Sequence, residues 1–180
     1  MKIIAFAGMP FSGKSEAVKV AKDRNIPVIR IGDMIWDEVK KQGLEINDKN
    51  VGKIANKMRK LKGKDIWAKR TIDKIKSADK TKFLVIDGIR NIEEIDTFKR
   101  ELDKNFMVIG IDVPDEIRYK RAMDRGREDD SKDLDKIKER DKREIGWGLD
   151  LVISSADIVI SNNGSVEDFR NKIGEIFNKI

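Results

Sequence analysis

The stretch GMPFSGKS, Gly8 to Ser15, sets a phosphate-binding backbone beside an ammonium and a hydroxyl. Its spacing, Gly8-x-x-x-x-Gly13-Lys14-Ser15, is the P-loop pattern, with Met9, Pro10, Phe11 and Ser12 as the variable residues. The glycines let successive N–H groups point inward at phosphate oxygens, and a helix N-terminus behind them adds partial positive charge. Lys14 is then placed for the β- and γ-phosphates of a nucleoside triphosphate, and the Ser15 hydroxyl for Mg²⁺. The flanks suit this reading. The apolar run KIIAFA predicts a strand before the loop, and Ala17, Val18, Val20 and Ala21 predict the apolar face of a helix after it.

Other residues extend the chemistry. FLVID ends at Asp87, and a carboxylate at the carboxyl end of a buried strand can hold Mg²⁺ directly or through water. Gly88 and Arg90 follow, placing a guanidinium on the same rim. IRIGD ends at Asp33, read as standing at the end of a second strand, either as a functional carboxylate or as a helix N-cap. Arg118, Arg121 and Arg125 are three and four apart and share a helical face; Arg127, Arg140 and Arg143 come later. Guanidinium groups suit the charge of a phosphoryl group in transfer, although Asp115, Glu116 and Asp124 could equally pair the stripe off. Histidine and cysteine are both absent. Thiol, disulfide and histidine-dependent chemistries are therefore excluded.

These groups need a scaffold. Short runs of Val, Ile and Phe with little alternation predict strands at Ile3–Ala7, Pro27–Ile31, Phe83–Asp87, Phe106–Val113 and Asp157–Ser161. Helical stretches separate them, so the expected class is α/β with a five-stranded parallel sheet. Between the second and third strands, helices are expected at Asp33–Gln42, Asp48–Leu61 and Asp65–Ser77. Another is expected from near Pro114 to Gly126, followed by a highly charged segment. Two long intervals on one small sheet suggest covers over a site, at about 33–80 and about 125–148. Ser165 and Asp168 predict a capping box for a last helix with Phe169, Ile173, Ile176 and Phe177 inward.

The whole chain, 180 residues, fits one domain. Lys and Arg total 39 against 33 Asp and Glu, a net +6 that favours anionic ligands. No apolar segment approaches the roughly 20 residues of a membrane span, and a cytoplasmic location without membrane association is expected.

GMPFSGKS, IRIGDM, FLVIDGIR, IDVPDEIRYKRAMDRGREDD and ADIVISNNGSVEDF together resemble the nucleotide-kinase branch of P-loop proteins. The resemblance runs through adenylate kinase and dephospho-coenzyme A kinase, and end to end through an archaeal family described as adenylate-kinase-related. It implies a three-layer P-loop kinase fold with two helical insertions, and ATP with Mg²⁺ as cofactors. Gly32-Asp33-Met34 resembles the GDM motif that opens the acceptor region of adenylate kinases; their arginine two places on is Trp36 here. Asp87-Gly88-Ile89-Arg90 resembles DGFPR, with Arg90 facing the acceptor. By the same resemblance Arg121 and Arg125 contact ATP, and Arg127 of Gly126-Arg127-Glu128-Asp129-Asp130 joins them over the transferring group. The loop Ser161-Asn162-Asn163-Gly164 resembles the adenine-side loop of dephospho-coenzyme A kinases, which implies Asn163 and Gly164 as cofactor-binding; in that family an Asp after strand two serves as base, as Asp33 would.

The expectation is an ATP- and Mg²⁺-dependent phosphotransferase acting on a nucleotide-like small molecule, a nucleoside monophosphate or dephospho-coenzyme A. The alternative is a nucleotide-dependent ATPase associated with RNA or assembly, supported by the basic tract KMRKLKGK, Lys57–Lys64. Aromatics for base stacking are sparse near that tract, and nucleic acid is the less favoured partner. Oligomeric state is not legible.

Overall fold

The computed structural model describes residues 1–79, 81–125 and 133–180, the side chains of Asp48 and Arg125 excepted. Strand β1 (Lys2–Gly8) runs into the glycine loop and helix α1 (Lys14–Asp23). After β2 (Val28–Arg30) come three helices, α2 (Ile31–Lys41), α3 (Asp48–Lys62) and α4 (Ile66–Lys76). Then follow β3 (Phe83–Asp87), α5 (Ile92–Leu102), β4 (Phe106–Asp112) and α6 (Asp115–Arg125). The chain ends with α7 (Leu134–Gly146), α8 (Leu149–Ser154), β5 (Ile158–Ser161) and α9 (Val166–Lys179). Among the described residues no helix is long and apolar enough to cross a membrane.

The five strands are parallel in the order β2-β3-β1-β4-β5. Successive side chains of β1 point to opposite faces, so its uninterrupted apolar run feeds two cores. Ile3, Ala5 and Ala7 pack with Trp67, Phe98 and Leu149 beneath α4, α5 and α8. Ile4 and Phe6 pack with Val18, Phe169 and Phe177 beneath α1 and α9. The result is the three-layer α/β architecture of P-loop kinases. Its order places β1 centrally, with β3 on one side and β4 on the other, so the loop after β1 opens beside the carboxyl ends of both.

Local chemistry sets the helix starts. Asn47, Asn91 and Ser165 cap α3, α5 and α9, each accepting from the N–H three residues on. Ser165 Oγ also donates to Asp168 Oδ2 at 2.7 Å, closing the expected capping box through side chains. β2 is shorter than expected. It stops at Arg30, which takes the N-cap position of α2, so Ile31 already lies in the helix and Asp33 in its first turn. Asp33 is therefore neither a strand terminus nor a cap. Three helices go beyond the sequence reading: α5, α7 within the charged segment, and the short α8 after it.

Candidate active site

Gly8 ends β1, and the loop turns through Ser12 N–H, which donates to the Met9 carbonyl at 3.1 Å. Phe11 adopts φ 62° and Gly13 φ 102°, the left-handed conformations that turn the backbone into α1. A side chain at Gly13 would also strike the Asn162 carboxamide. Lys14 folds back into the loop, and its ammonium donates to the carbonyls of Gly8 and, at 3.1 Å, Met9. Burial of that ammonium, with Arg90 nearby, lowers the Lys14 pKa to about 7. The loop opens on a cavity of about 400 Å³ lined by Pro10 to Glu16, with Asp87, Arg90, Arg121 and Arg140 on its rim.

Asp87 and Arg90 come to this rim as β3 and its exit direct. Gly88 adopts φ 111° between them, a turn that strains any side chain. Arg30 is brought there by strand register: it sits opposite Asp87, and its Nε lies 3.9 Å from Asp87 Oδ2. Asp33 lines neither this cavity nor its neighbour, and pairs with Arg30 at 3.6 Å where both are about half exposed.

Helix α6 splits its arginines. Arg118 is fully buried and donates to the Pro10 carbonyl at 3.0 Å, to Asp141 at 2.6 and 3.2 Å, and to Asp115. It is a strut behind the loop. Arg121 faces the cavity, and its Nη2 donates to the Asn162 carbonyl at 2.8 Å; burial lowers its pKa. Asn162 in turn donates through Nδ2 to the Ser12 carbonyl at 2.8 Å, joining the end of β5 to the glycine loop. Asn163 and Gly164, the neighbours expected to serve the nucleotide, are exposed and do not line the cavity; Asn162 makes the contact. The Arg125 side chain and Arg127 lie outside the described residues.

A second cavity of about 570 Å³ adjoins the first between α2, α3 and α7. Both are lined by Arg30, Gly32, Gly88, Arg90 and Arg140. Its own walls are Ile35 and Trp36 of α2, Val51, Gly52, Ala55 and Arg59 of α3, and Arg143, Glu144 and Trp147 at the end of α7. The Arg30 guanidinium lies 5.4 Å from the Trp36 ring, so the end of β2 supplies a cation to this wall. Arg59 lies over Trp147 at 4.9 Å and pairs with fully buried Glu94 at 3.0 Å. Glu94 also accepts from the Arg90 backbone N–H at 2.8 Å, and burial raises its pKa against the pull of Arg59. Glu94 thus ties the wall of the second cavity to Arg90. The basic tract is partly consumed here: Arg59 is turned inward and Lys64 pairs with Glu93 at 2.6 Å.

Ser15 and Asp87 both line the first cavity, as a Mg²⁺ site beside phosphates requires. This hard-oxygen pair fits an ion that keeps most of its waters and takes few protein ligands. Among the described residues no cluster of three or more His, Cys, Asp or Glu could hold a metal alone.

Comparison with known proteins bears on the family and the fold. Residues 7–138 match the AAA domain family. A UPF0200 protein of Methanosarcina barkeri is 44% identical over 98% of this chain and 94% of its own length. A UPF0200/UPF0201 protein of Archaeoglobus fulgidus is 42% identical over 100% of this chain and 56% of its own. Among solved structures, TT1252 from Thermus thermophilus superposes with a TM-score of 0.67 at 17% identity, over 99% of this chain and 97% of that one. Shikimate kinase from Aquifex aeolicus vf5 gives 0.51 at 19%, over 98% and 96%. At such identities the likeness is one of fold.

Proposed function

This chain belongs to the UPF0200 family, and on that premise we propose that it is an ATP- and Mg²⁺-dependent phosphotransferase of the nucleotide-kinase type. The observation that carries the reading is the pair of cavities meeting at Arg90 and Arg140. A nucleotide switch or simple hydrolase needs one anion pocket and a water; transfer between two molecules needs two adjoining pockets. In this reading the loop N–H groups and Lys14 hold the triphosphate, while Ser15 and Asp87 hold Mg²⁺, which neutralises charge on the phosphate oxygens. Arg121 fixes the nucleotide through the anchored Asn162 loop, and Arg125 and Arg127 close over the transferring group. Residues 33–80 are the acceptor-binding insertion and 125–148 the lid, which keeps water from competing as acceptor.

The second cavity also bears on the acceptor. Its lining carries five arginines against one carboxylate, Glu144, which is already paired with Arg90 at 2.7 Å. Such a wall suits an acceptor that brings an anion. An acceptor phosphate is itself the nucleophile and needs no base, so the nucleoside-monophosphate class is preferred over a hydroxyl acceptor.

The test is an acceptor screen with γ-labelled ATP and Mg²⁺ over nucleoside monophosphates, dephospho-coenzyme A, and RNA. Label on a small acceptor is expected. Label released only as inorganic phosphate, with a rate that RNA raises, would overturn the reading in favour of an RNA-associated ATPase.

A further inference from the structure

Helix α7 has an unusual inner face. Its buried positions are Ile137, Asp141 and Glu144, so two of the three are carboxylates. Asp141 is held by Arg118 and, at 3.1 Å, by the Tyr119 hydroxyl. Glu144 reaches to Arg90, its Oε2 2.7 Å from Arg90 Nε, with the two side chains 5% and 21% exposed. The helix is thus docked largely by guanidinium–carboxylate pairs. An apolar contact is indifferent to a competing anion, whereas a guanidinium exchanges a carboxylate for a phosphate with the same fork geometry.

Three placements give this exchange a direction. Glu144 lines the second cavity and not the first, so it approaches Arg90 from the side proposed for the acceptor. Arg90 lines both cavities, where acceptor and triphosphate meet. Arg140, one turn before Glu144 on the same helix, also lines both, and its guanidinium lies 6.0 Å from the Phe11 ring at the tip of the phosphate loop. Arg140 and Glu144 are four apart on α7, so they are neighbours on one helix face and set a cation of the triphosphate side one turn from the carboxylate.

We propose that Glu144 is an internal stand-in for the acceptor's anionic group, occupying Arg90 until a phosphomonoester displaces it. This rests on the two-cavity transferase reading and makes Glu144 a specificity-determining residue. An acceptor must bring a phosphate able to compete for Arg90, and water or a neutral hydroxyl compound leaves the pair closed. Displacement releases the Glu144 end of α7 while Asp141 stays docked on Arg118, and lets Arg140, one turn from Glu144, settle over the phosphates only when an acceptor is present.

The test uses the full chain saturated with Mg²⁺ and a non-hydrolysable ATP analogue, titrated calorimetrically with inorganic phosphate. Glu144→Gln should bind phosphate about tenfold more tightly than the unaltered chain, the size expected for removing one charged competitor. Its affinity for the analogue should stay within about threefold. Adding Arg90→Gln to that variant should abolish the gain. Glu144→Asp keeps the charge on a shorter arm and should fall between, and it carries the test if the glutamine variant does not fold. Unchanged or weaker phosphate binding, with the analogue bound normally, would overturn the proposal and leave Glu144 a structural tie. If the unaltered chain fails to bind the analogue at all, the transferase reading itself falls, and the inference with it.

Discussion

Lys14 holds its charge at a disadvantage. Its ammonium lies against the carbonyls of Gly8 and Met9, and burial beside Arg90 lowers its pKa from 10.5 to about 7. Between those values the unfolded chain binds a proton that the folded, nucleotide-free chain does not, so this group's contribution to stability rises with pH from about 7 to 10.5. Lys14→Met should remove that slope, seen as the difference between the two proteins' denaturant midpoints at pH 7 and pH 9. A triphosphate reverses the balance by favouring the ammonium. Calorimetry at pH 8 in buffers of different ionisation enthalpy should show net proton uptake on ATP binding, and Lys14→Met should lose it along with most affinity. Asp33 makes the opposite case. It lies outside both cavities, so Asp33→Asn should lower transfer less than about tenfold, well short of the 10²–10⁴ that a general base contributes. A larger loss would return the hydroxyl-acceptor reading. The phosphate loop was legible because its signal is local, a fixed spacing between a strand and a helix. Arg30 was not legible as a site residue, and Asn162 only as a member of its loop, because each acts through a long-range fact: the register that sets Arg30 opposite Asp87, and the crossing that brings Asn162 onto Ser12, 150 positions away.

At the scale of elements, the strands declared themselves and three helices, α5, α7 and the six-residue α8, did not. β3 has the bounds expected, Phe83–Asp87, because an all-apolar run ending in Asp has little else it can be. Helix α5 hides because its inner face is Glu94, Ile95, Thr97 and Phe98, half of it polar, so the apolar stripe is too thin to read. Helix α7 hides for the same reason carried further, since its buried carboxylates look like solvated charge until Arg118 and Arg90 are seen opposite them. That docking makes a prediction. Asp141→Asn leaves Arg118 buried with a neutral amide in place of its bidentate partner, and breaking a buried pair costs about 3 kcal/mol. For a chain of this size the melting temperature should fall by about 10 °C. Replacement of both partners, Asp141→Leu with Arg118→Met, should recover much of that loss, because desolvating the pair is itself costly. A melting temperature unchanged in Asp141→Asn would mean that α7 is held by something other than its charges.

The whole molecule is a sheet whose order turns distant segments into neighbours. With β1 central, the exits of β1, β3 and β2 lie side by side, so Ser15, Asp87 with Arg90, and Arg30 gather from three parts of the chain around one opening. The long intervals in the sequence then fall where α2, α3 and helix α7 wall the second cavity, and their length was the sign of it that the sequence held beside the GDM resemblance. What matters for function is whether the two cavities work as one path. Gly32 stands on the wall between them, in the first turn of α2, and a Cβ built there meets nothing within 4 Å. Its backbone is helical and the space beside it is open, so the fold tolerates a side chain, and one added at a residue that lines both cavities is expected to narrow the passage. Gly32→Val should therefore leave stability within about 1 kcal/mol, the range of helix propensities. It should keep Mg²⁺–ATP binding nearly intact while lowering transfer by about 10² or more, as misplacement of reacting groups by an ångström does. A variant that transfers normally would mean that the two cavities are separate compartments. Loss of ATP binding and transfer in equal measure would place Gly32 on the nucleotide side alone. Only the split between binding and transfer fits a passage through which one phosphoryl group moves.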